Sequence, residues 1–347
     1  MTVTQTALAA IAIVVAASAG GQGAKGKTPP PTQTKPIVGT AQMPGDNGKV
    51  GTPYQLGKTG DELIFTLEKA EFASRLLLSD NDKFPKAGER LLVVTYSVQN
   101  PGKSDRFFFN QSFSFTVVSP DDQNFVYDGA RGSGAAAYHP DRKEPMSIQL
   151  KPAQKVKAIA VISMHPRGPV NKLIVQRHKD TPVLRYDMKE KVSPMTGAFA
   201  GKDGLEILDV GSAIIETPFD LGGWDVNVEK VSEELLPIGS YAPPAGQKCV
   251  ILTVHIKNVG FRPGPMHSSL ILPKMTDEDG SELTYPNAML KNSAPESFNN
   301  GAIGSGEEAR FRMVFYAPLL TKPAKVVFKE YWSGQSVAVK LEKPKDK

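Results

Sequence analysis

Five histidines, His139, His165, His178, His255 and His267, are the chain's imidazoles, and two of them directly follow a methionine, as Met164-His165 and Met266-His267. A thioether beside an imidazole is a soft donor pair that suits copper outside the cytoplasm, so Met164, His165, Met266 and His267 are the candidate metal ligands. Against them, the two pairs fall at non-equivalent positions of the internal repeat described below. Cys249 is the single cysteine, which excludes an intrachain disulfide framework and a Cys-x-x-Cys site, and at the start of a strand it reads as a small packed hydrophobe. There is no Gly-x-Ser-x-Gly elbow and no His-Glu-x-x-His. Gly129–Gly134 (GARGSG) looks like a phosphate loop but runs on into AAAY and a proline instead of a helix, and Asp80-Asn81-Asp82 lacks the further carboxylates of a calcium shell. The expectation is a protein that is not an enzyme and holds no cofactor. Its candidate contact surface is Phe107, Phe108 and Phe109, three consecutive aromatics read as a loop, where not all can face inward.

The elements that must position these residues are strands. In Leu91–Val98 the residues Leu92, Val94, Tyr96 and Val98 alternate with more polar ones, a period of two that marks a strand with one buried face. Further strands are expected at 62–69, 113–118, 154–164, 173–177 and 183–186, then at 224–231, 270–275, 309–316, 325–331 and 337–341. No amphipathic helix of three turns stands out. Turn signals such as Pro120-Asp121-Asp122 and Asp277–Gly280 (DEDG) separate the strands.

The strands come in two matching sets. Thr52-Pro53-Tyr54-Gln55-Leu56-Gly57 returns as Thr217-Pro218-Phe219-Asp220-Leu221-Gly222, 165 residues on, and Glu68-Lys69 returns as Glu229-Lys230 at 161. Ala87–Gly102 (AGERLLVVTYSVQNPG) matches Ala245–Gly260 (AGQKCVILTVHIKNVG) at 158, and Lys172–Val175 matches Lys325–Phe328 at 153. A period near 160 is the size of a domain, so the pattern is duplication and not a solenoid. The Asn-x-Gly that closes each copy of the central strand reads as a turn using the tolerance of both residue types for positive φ.

The beginning of the chain has another character. Residues 1–24 carry no charged side chain, Ala7–Ala17 is an unbroken apolar run about half the ~20 residues of a membrane span, and Ala17-Ser18-Ala19 supplies a small-x-small cleavage pattern. This predicts a signal peptide at 1–19 and a secreted, periplasmic or cell-envelope location. No cysteine follows the apolar run, so the lipoprotein route is not expected, and the mature chain is expected to contain no membrane span. Residues 20–50 are rich in Gly, Pro, Thr and Gln and read as a disordered tether. The net charge of +5, from 41 Lys+Arg against 36 Asp+Glu, is spread without clusters, which argues against a nucleic-acid partner.

Taken together, GDELIFTLEKAEF, KAGERLLVVTYSVQNPG and SPDDQNFVYD in the first half, with LGGWDVNVEKVS, PAGQKCVILTVHIKNVG and DEDGSELTYPN in the second, resemble the DUF4352-like, immunoglobulin-like domain of bacterial secreted proteins and lipoproteins. The resemblance covers about residues 51–343 and implies an envelope or extracellular binding module with no catalytic residues to carry over. The expected architecture is all-β: two tandem immunoglobulin-like antiparallel β-sandwiches at 51–190 and 205–343, joined by a linker at 191–204 and ending in a short tail at 344–347. The expected function is a non-enzymatic binding or structural module recognising a protein or envelope ligand. Alternatives are a periplasmic copper-handling protein using the Met/His loops and an inhibitor of an extracellular protease using the loop 128–145. Ligand contacts are expected on the loops that do not match between copies: 72–86, 128–145, 235–245 and 286–306.

Overall fold

The computed structural model describes residues 45–79, 82–109, 111–126, 137–141, 143–292, 298 and 300–342; the expected signal peptide, most of the tether, the GARGSG stretch and the tail at 344–347 lie outside them. Every regular element among the described residues is a strand or turn, and no helix is long and apolar enough to cross a membrane. The described residues all fall within one compact unit.

One five-stranded sheet runs Gly45–Gly48, Val183–Asp187, Lys172–Gln176, Ser114–Val118, Asn124–Val126, and it faces a second of order Val192–Ser193, Leu63–Ala73, Arg90–Gln99, Lys155–Met164. Farther along, the sheet Gly211–Ile214, Ser336–Lys340, Pro323–Glu330, Ile271–Asp277 faces Phe219–Leu221, Trp224–Glu234, Gln247–Asn258, Glu308–Pro318, Thr284–Lys291. In both pairs the first strand joins its sheet in parallel and most other neighbours are antiparallel. The facing sheets are held by side chains that the two-residue alternation sends inward. Leu92, Val94, Tyr96 and Val98 pack with Phe65, Phe115 and Tyr186 in one core, and Val250, Leu252, Val254 and Ile256 pack with Phe315, Phe328 and Val339 in another. Tyr96 and Phe115 bridge the first sandwich with ring centroids 5.2 Å apart. Burying such side chains, at about 1.5–3 kcal/mol each, is what fixes the register, since a one-residue slip would turn each set to solvent.

Two short motifs prove to have physical roles that their types only hint at. Glu68 and Glu229 each sit in a β-bulge, where the ladder shifts between Leu67 and Lys69 and again between Val228 and Lys230. Each bulged glutamate then meets a cation two strands along, Glu68 with Lys157 at 3.0 Å and Glu229 with Arg310 at 2.9 Å. Asn100 and Asn258, expected as turn residues of positive φ, are instead buried brackets. The Asn100 amide donates to Ser104 O and Leu150 O, both at 2.8 Å, while its Oδ1 accepts from Gly102 N. Asn258 does the same with Arg262 O, Ile303 O and Gly260 N.

The strand positions follow the alternation to within a few residues, with Leu63–Ala73 and Trp224–Glu234 running farther than expected. Arg106–Phe109 corrects the reading of that segment as a loop: it is a strand paired with Ser147–Leu150. The pleat therefore buries Phe108 completely and leaves Phe107 at 55% and Phe109 at 37% exposure, with their rings stacked 5.5 Å apart. A second ribbon, Gly264–His267 with Asn300–Ile303, and the strand Thr284–Lys291 occupy ground expected to be loop.

Candidate functional site

The segment after Val192 ties the two sandwiches together. Val192 and Ser193 add a parallel strand to Ala70 and Glu71. Met195 then enters the first core and Phe199 the second, each almost fully buried. Ile207 packs against both cores, and its N–H donates to Pro166 O at 2.9 Å. The Arg90 guanidinium, itself buried, donates to Leu205 O and Gly168 O and lies 3.7 Å over the Phe72 ring. Burial pushes its pKa down to about 10, which leaves it charged at neutral pH, where two carbonyls and an aromatic face compensate the lost water.

The other half of the junction is made by the end of the strand Leu63–Ala73. Ser74 Oγ donates to Asp220 Oδ2 at 2.8 Å. Arg75 donates to Gly222 O at 2.8 Å, to Trp224 O at 3.0 Å and to the Asp225 carboxylate at 2.7 Å. Gln335 closes the loop by donating to Ser74 O and accepting from Gly222 N, both at 2.9 Å. A guanidinium suits this place because it offers several donors in one plane to acceptors on different strands.

Beside these contacts opens a cleft of about 450 Å³, walled by Leu78, Asp82 and Phe84 from the first half and by Trp224, Phe261 and Trp332 from the second. Both tryptophans of the chain therefore line it. Trp224 is buried, its indole so close over Gly264 that a Cβ there would come within 2.5 Å of the ring. Trp332 is 71% exposed and stands edge-to-face with Tyr331 at 5.1 Å, and Phe261 is 42% exposed at the mouth. Asp82 holds its loop by accepting from Leu78 N at 2.7 Å. A ligand entering here would meet broad aromatic faces with a few polar groups, Ser79, Asp82, Arg262 and Glu330 among them. A second groove, of about 870 Å³, runs from Glu68 and Lys157 past Lys143 to Met195 and Asp220, and burial lowers the Lys143 pKa.

The sequence candidates are dispersed. Met164 and Met266 lie fully inside separate cores, so the two Met/His pairs considered as an alternative copper site do not come together. His267 instead shares a 2.7 Å hydrogen bond with Ser269. Among the described residues no three His, Cys, Asp or Glu side chains converge as metal ligands. Phe107 and Phe109 remain a surface pair and Phe108 leaves it. Cys249 is buried beneath Tyr241 and Ile238, and burial raises its thiol pKa. Arg75, Trp224, Phe261 and Trp332 were not singled out by sequence reasoning, although Arg75 lies in one of the non-matching loops. The available signal was Tyr331-Trp332, two large aromatics placed in a turn.

No protein-family model matches the chain, and no curated protein does. Among solved structures, the chain is similar to an uncharacterized beta-sandwich protein of Clostridium difficile, at 11% identity over 38% of this chain and 95% of that one, with a TM-score of 0.30. It is also similar to ycdA of Bacillus subtilis, provisionally named a lipoprotein, at 16% identity over 37% of this chain and 38% of that one, with a TM-score of 0.29. The yjhA protein of Bacillus subtilis matches at 14% identity over 38% of this chain and 99% of that one, with a TM-score of 0.27.

Proposed function

We propose that this is an exported, non-enzymatic binding module of the cell envelope, built from two tandem immunoglobulin-like domains of the DUF4352-like kind and holding its ligand in the cleft at their junction. The observation that carries the reading is the convergence of both tryptophans, with Phe84 and Phe261, on one open cleft walled from both sides. The duplication is supported by features that recur at the repeat's own spacing: the bulged glutamates with their cations, the asparagine brackets, and Gly57 and Gly222. These two glycines, both of positive φ, sit where a Cβ would strike Arg177 in the first copy and Glu330 in the second, and those two residues are themselves 153 apart.

A photo-crosslinking residue at position 332, introduced in cells, tests the cleft. The expected outcome is a discrete adduct in the envelope fraction that disappears on Phe261→Ala, with no adduct from a crosslinker at Asp279. Equal labelling from both positions would refute the site. Export is tested separately by N-terminal sequencing, which should begin at Gly20.

A further inference from the structure

Another exposed apolar feature of the second half is formed by residues outside the lining of this cleft. Leu235 and Leu236 are 68% and 73% exposed, and Leu319 and Leu320 are 48% and 97% exposed. They leave one sheet at the same end. Glu234 pairs with Cys249, Gln247 pairs with Pro318, and Leu319 N donates to Gly246 O at 3.3 Å. The two Leu-Leu pairs thus flank a single strand, about 10 Å apart at ordinary strand spacing. The connecting segment 235–245 contains no charged residue.

What covers such an end is visible in the first half, on the duplication proposed above. At the spacing of 161 that relates Glu68 to Glu229, Leu235 and Leu236 correspond to Ser74 and Arg75. At the spacing of 153 that relates Lys172 to Lys325, Leu319 and Leu320 correspond to Pro166 and Arg167. The chain that follows meets all four of those residues: it buries Ser74 with Asp220, half-buries Arg75 with Gly222, Trp224 and Asp225 and Pro166 with Ile207, and bridges Arg167, whose side chain stays exposed, to Glu206. The same surface is an interface in one copy and a set of bare leucines in the other.

We infer that the leucine-tipped end of the second sandwich is a dimer interface, and that its occupant is the same end of a second copy of this chain. A head-to-tail chain of molecules, repeating the internal junction, would instead press these leucines onto the corresponding end of the first sandwich. That end carries Asp61 paired with Arg177 at 2.9 Å and with His178 at 2.8 Å, beside Arg106. Leucines cannot replace the hydrogen bonds of Arg75, and covering that cluster would strip water from a half-exposed carboxylate. Apolar surface against identical apolar surface, related by a twofold axis, has neither cost. The exposed fractions amount to nearly three whole leucines, roughly 300 Å² of apolar area per copy, against the roughly 500 Å² of apolar area in a standard interface burying about 800 Å² per partner. With the flanking prolines and Tyr241 this predicts a dimer of micromolar rather than nanomolar affinity.

Sedimentation equilibrium of the processed chain from about 1 to 200 μM tests the inference. The expected result is a concentration-dependent dimer, weakened at least about tenfold by Leu236→Glu or by Leu320→Glu. Because the single native thiol is buried, Leu320→Cys offers a second reading that tolerates a poorly folding charged variant: mild oxidant should link it into a dimer, while Phe107→Cys should stay monomeric. A monomer at 200 μM, a dimer indifferent to the leucine substitutions, or a monomer that sediments with phosphatidylcholine vesicles through these leucines would each overturn it. Crosslinking at position 332 reads the cleft independently, so a monomer with an occupied cleft sinks the dimer alone. Leucine-dependent dimers with equal labelling at 332 and 279 sink the cleft alone.

Discussion

Replacing Arg75 by alanine removes the side chain that joins the two halves most directly. Its guanidinium donates to two main-chain carbonyls, Gly222 O and Trp224 O, and to the Asp225 carboxylate. Hydrogen bonds from a charged donor contribute about 1.5–3 kcal/mol each when the acceptor is left dry. The Arg75 side chain is 18% exposed and that of Asp225 43%, so water recovers part of the loss and the ion pair adds little. The two carbonyl bonds then set a cost of about 2–3 kcal/mol, which for a unit of this size lowers the melting temperature by roughly 3–5 °C. Differential scanning calorimetry should show this fall together with a broadened or split endotherm as the halves melt apart. Trp224, now buried beside the lost contact, should report a red-shifted fluorescence in the native variant. Arg75→Lys should restore only part of the stability, because one ammonium cannot reach three acceptors in different directions. A variant that melts within about 1 °C of the parent, with an unmoved emission maximum, would refute the assignment of Arg75 as the junction's main tie.

Alanine at Asn100 or Asn258 leaves one buried carbonyl, Leu150 O or Ile303 O, without its partner, together with a part-buried carbonyl and one N–H, and is expected to cost about 2–3 kcal/mol in urea unfolding, whereas a turn residue chosen for φ alone would cost under about 1. Phe108→Ala should destabilise by about 3–5 kcal/mol while Phe107→Ser changes denaturation midpoints little, as the pleat places only the first in the core. Asp61 is pushed up by burial but held below the usual carboxylate range by hydrogen bonds from His178 and Arg177. Its contribution is therefore present above its ordinary pKa and is lost as the pH falls through the lowered one, so Asp61→Asn should flatten the acid limb of a stability-pH curve. For Cys249, whose pKa burial raises, the sign reverses: the parent should lose stability relative to Cys249→Ala as pH rises above about 8.5, and the native thiol should resist a disulfide reagent until the chain unfolds.

The strands were legible because alternation is a local signal. Leu92 to Val98 and Val250 to Ile256 each announce a buried face within eight residues, and all the even positions are buried. Where several burial demands overlap, the signal fails. Arg106–Phe109 has no polar residue between its aromatics, so its pleat becomes visible only through its partner Ser147–Leu150. Thr284–Lys291 breaks register against Glu308–Pro318, which blurs its alternation. The junction was the least legible part, since Arg75 meets residues about 150 positions away and nothing local distinguishes it from a solvated arginine. The Met/His pairs show the converse: residues adjacent in sequence need not share a face, and Met266 is buried in the strand Gly264–His267 while His267 beside it is half-buried.

The segment from Val192 to Ile207 has a consequence for how such a protein can change over generations. A pair of modules joined by a slack linker can be cut and recombined at the joint, each part keeping its stability. Here a crossover before Val192 would take away a strand, Met195 and the Pro166–Ile207 bond from the first half, and one after Ile207 would carry off Phe199 from the second. No breakpoint in the stretch leaves both descendants with all of their own contacts, so recombination at this joint costs stability on one side or the other.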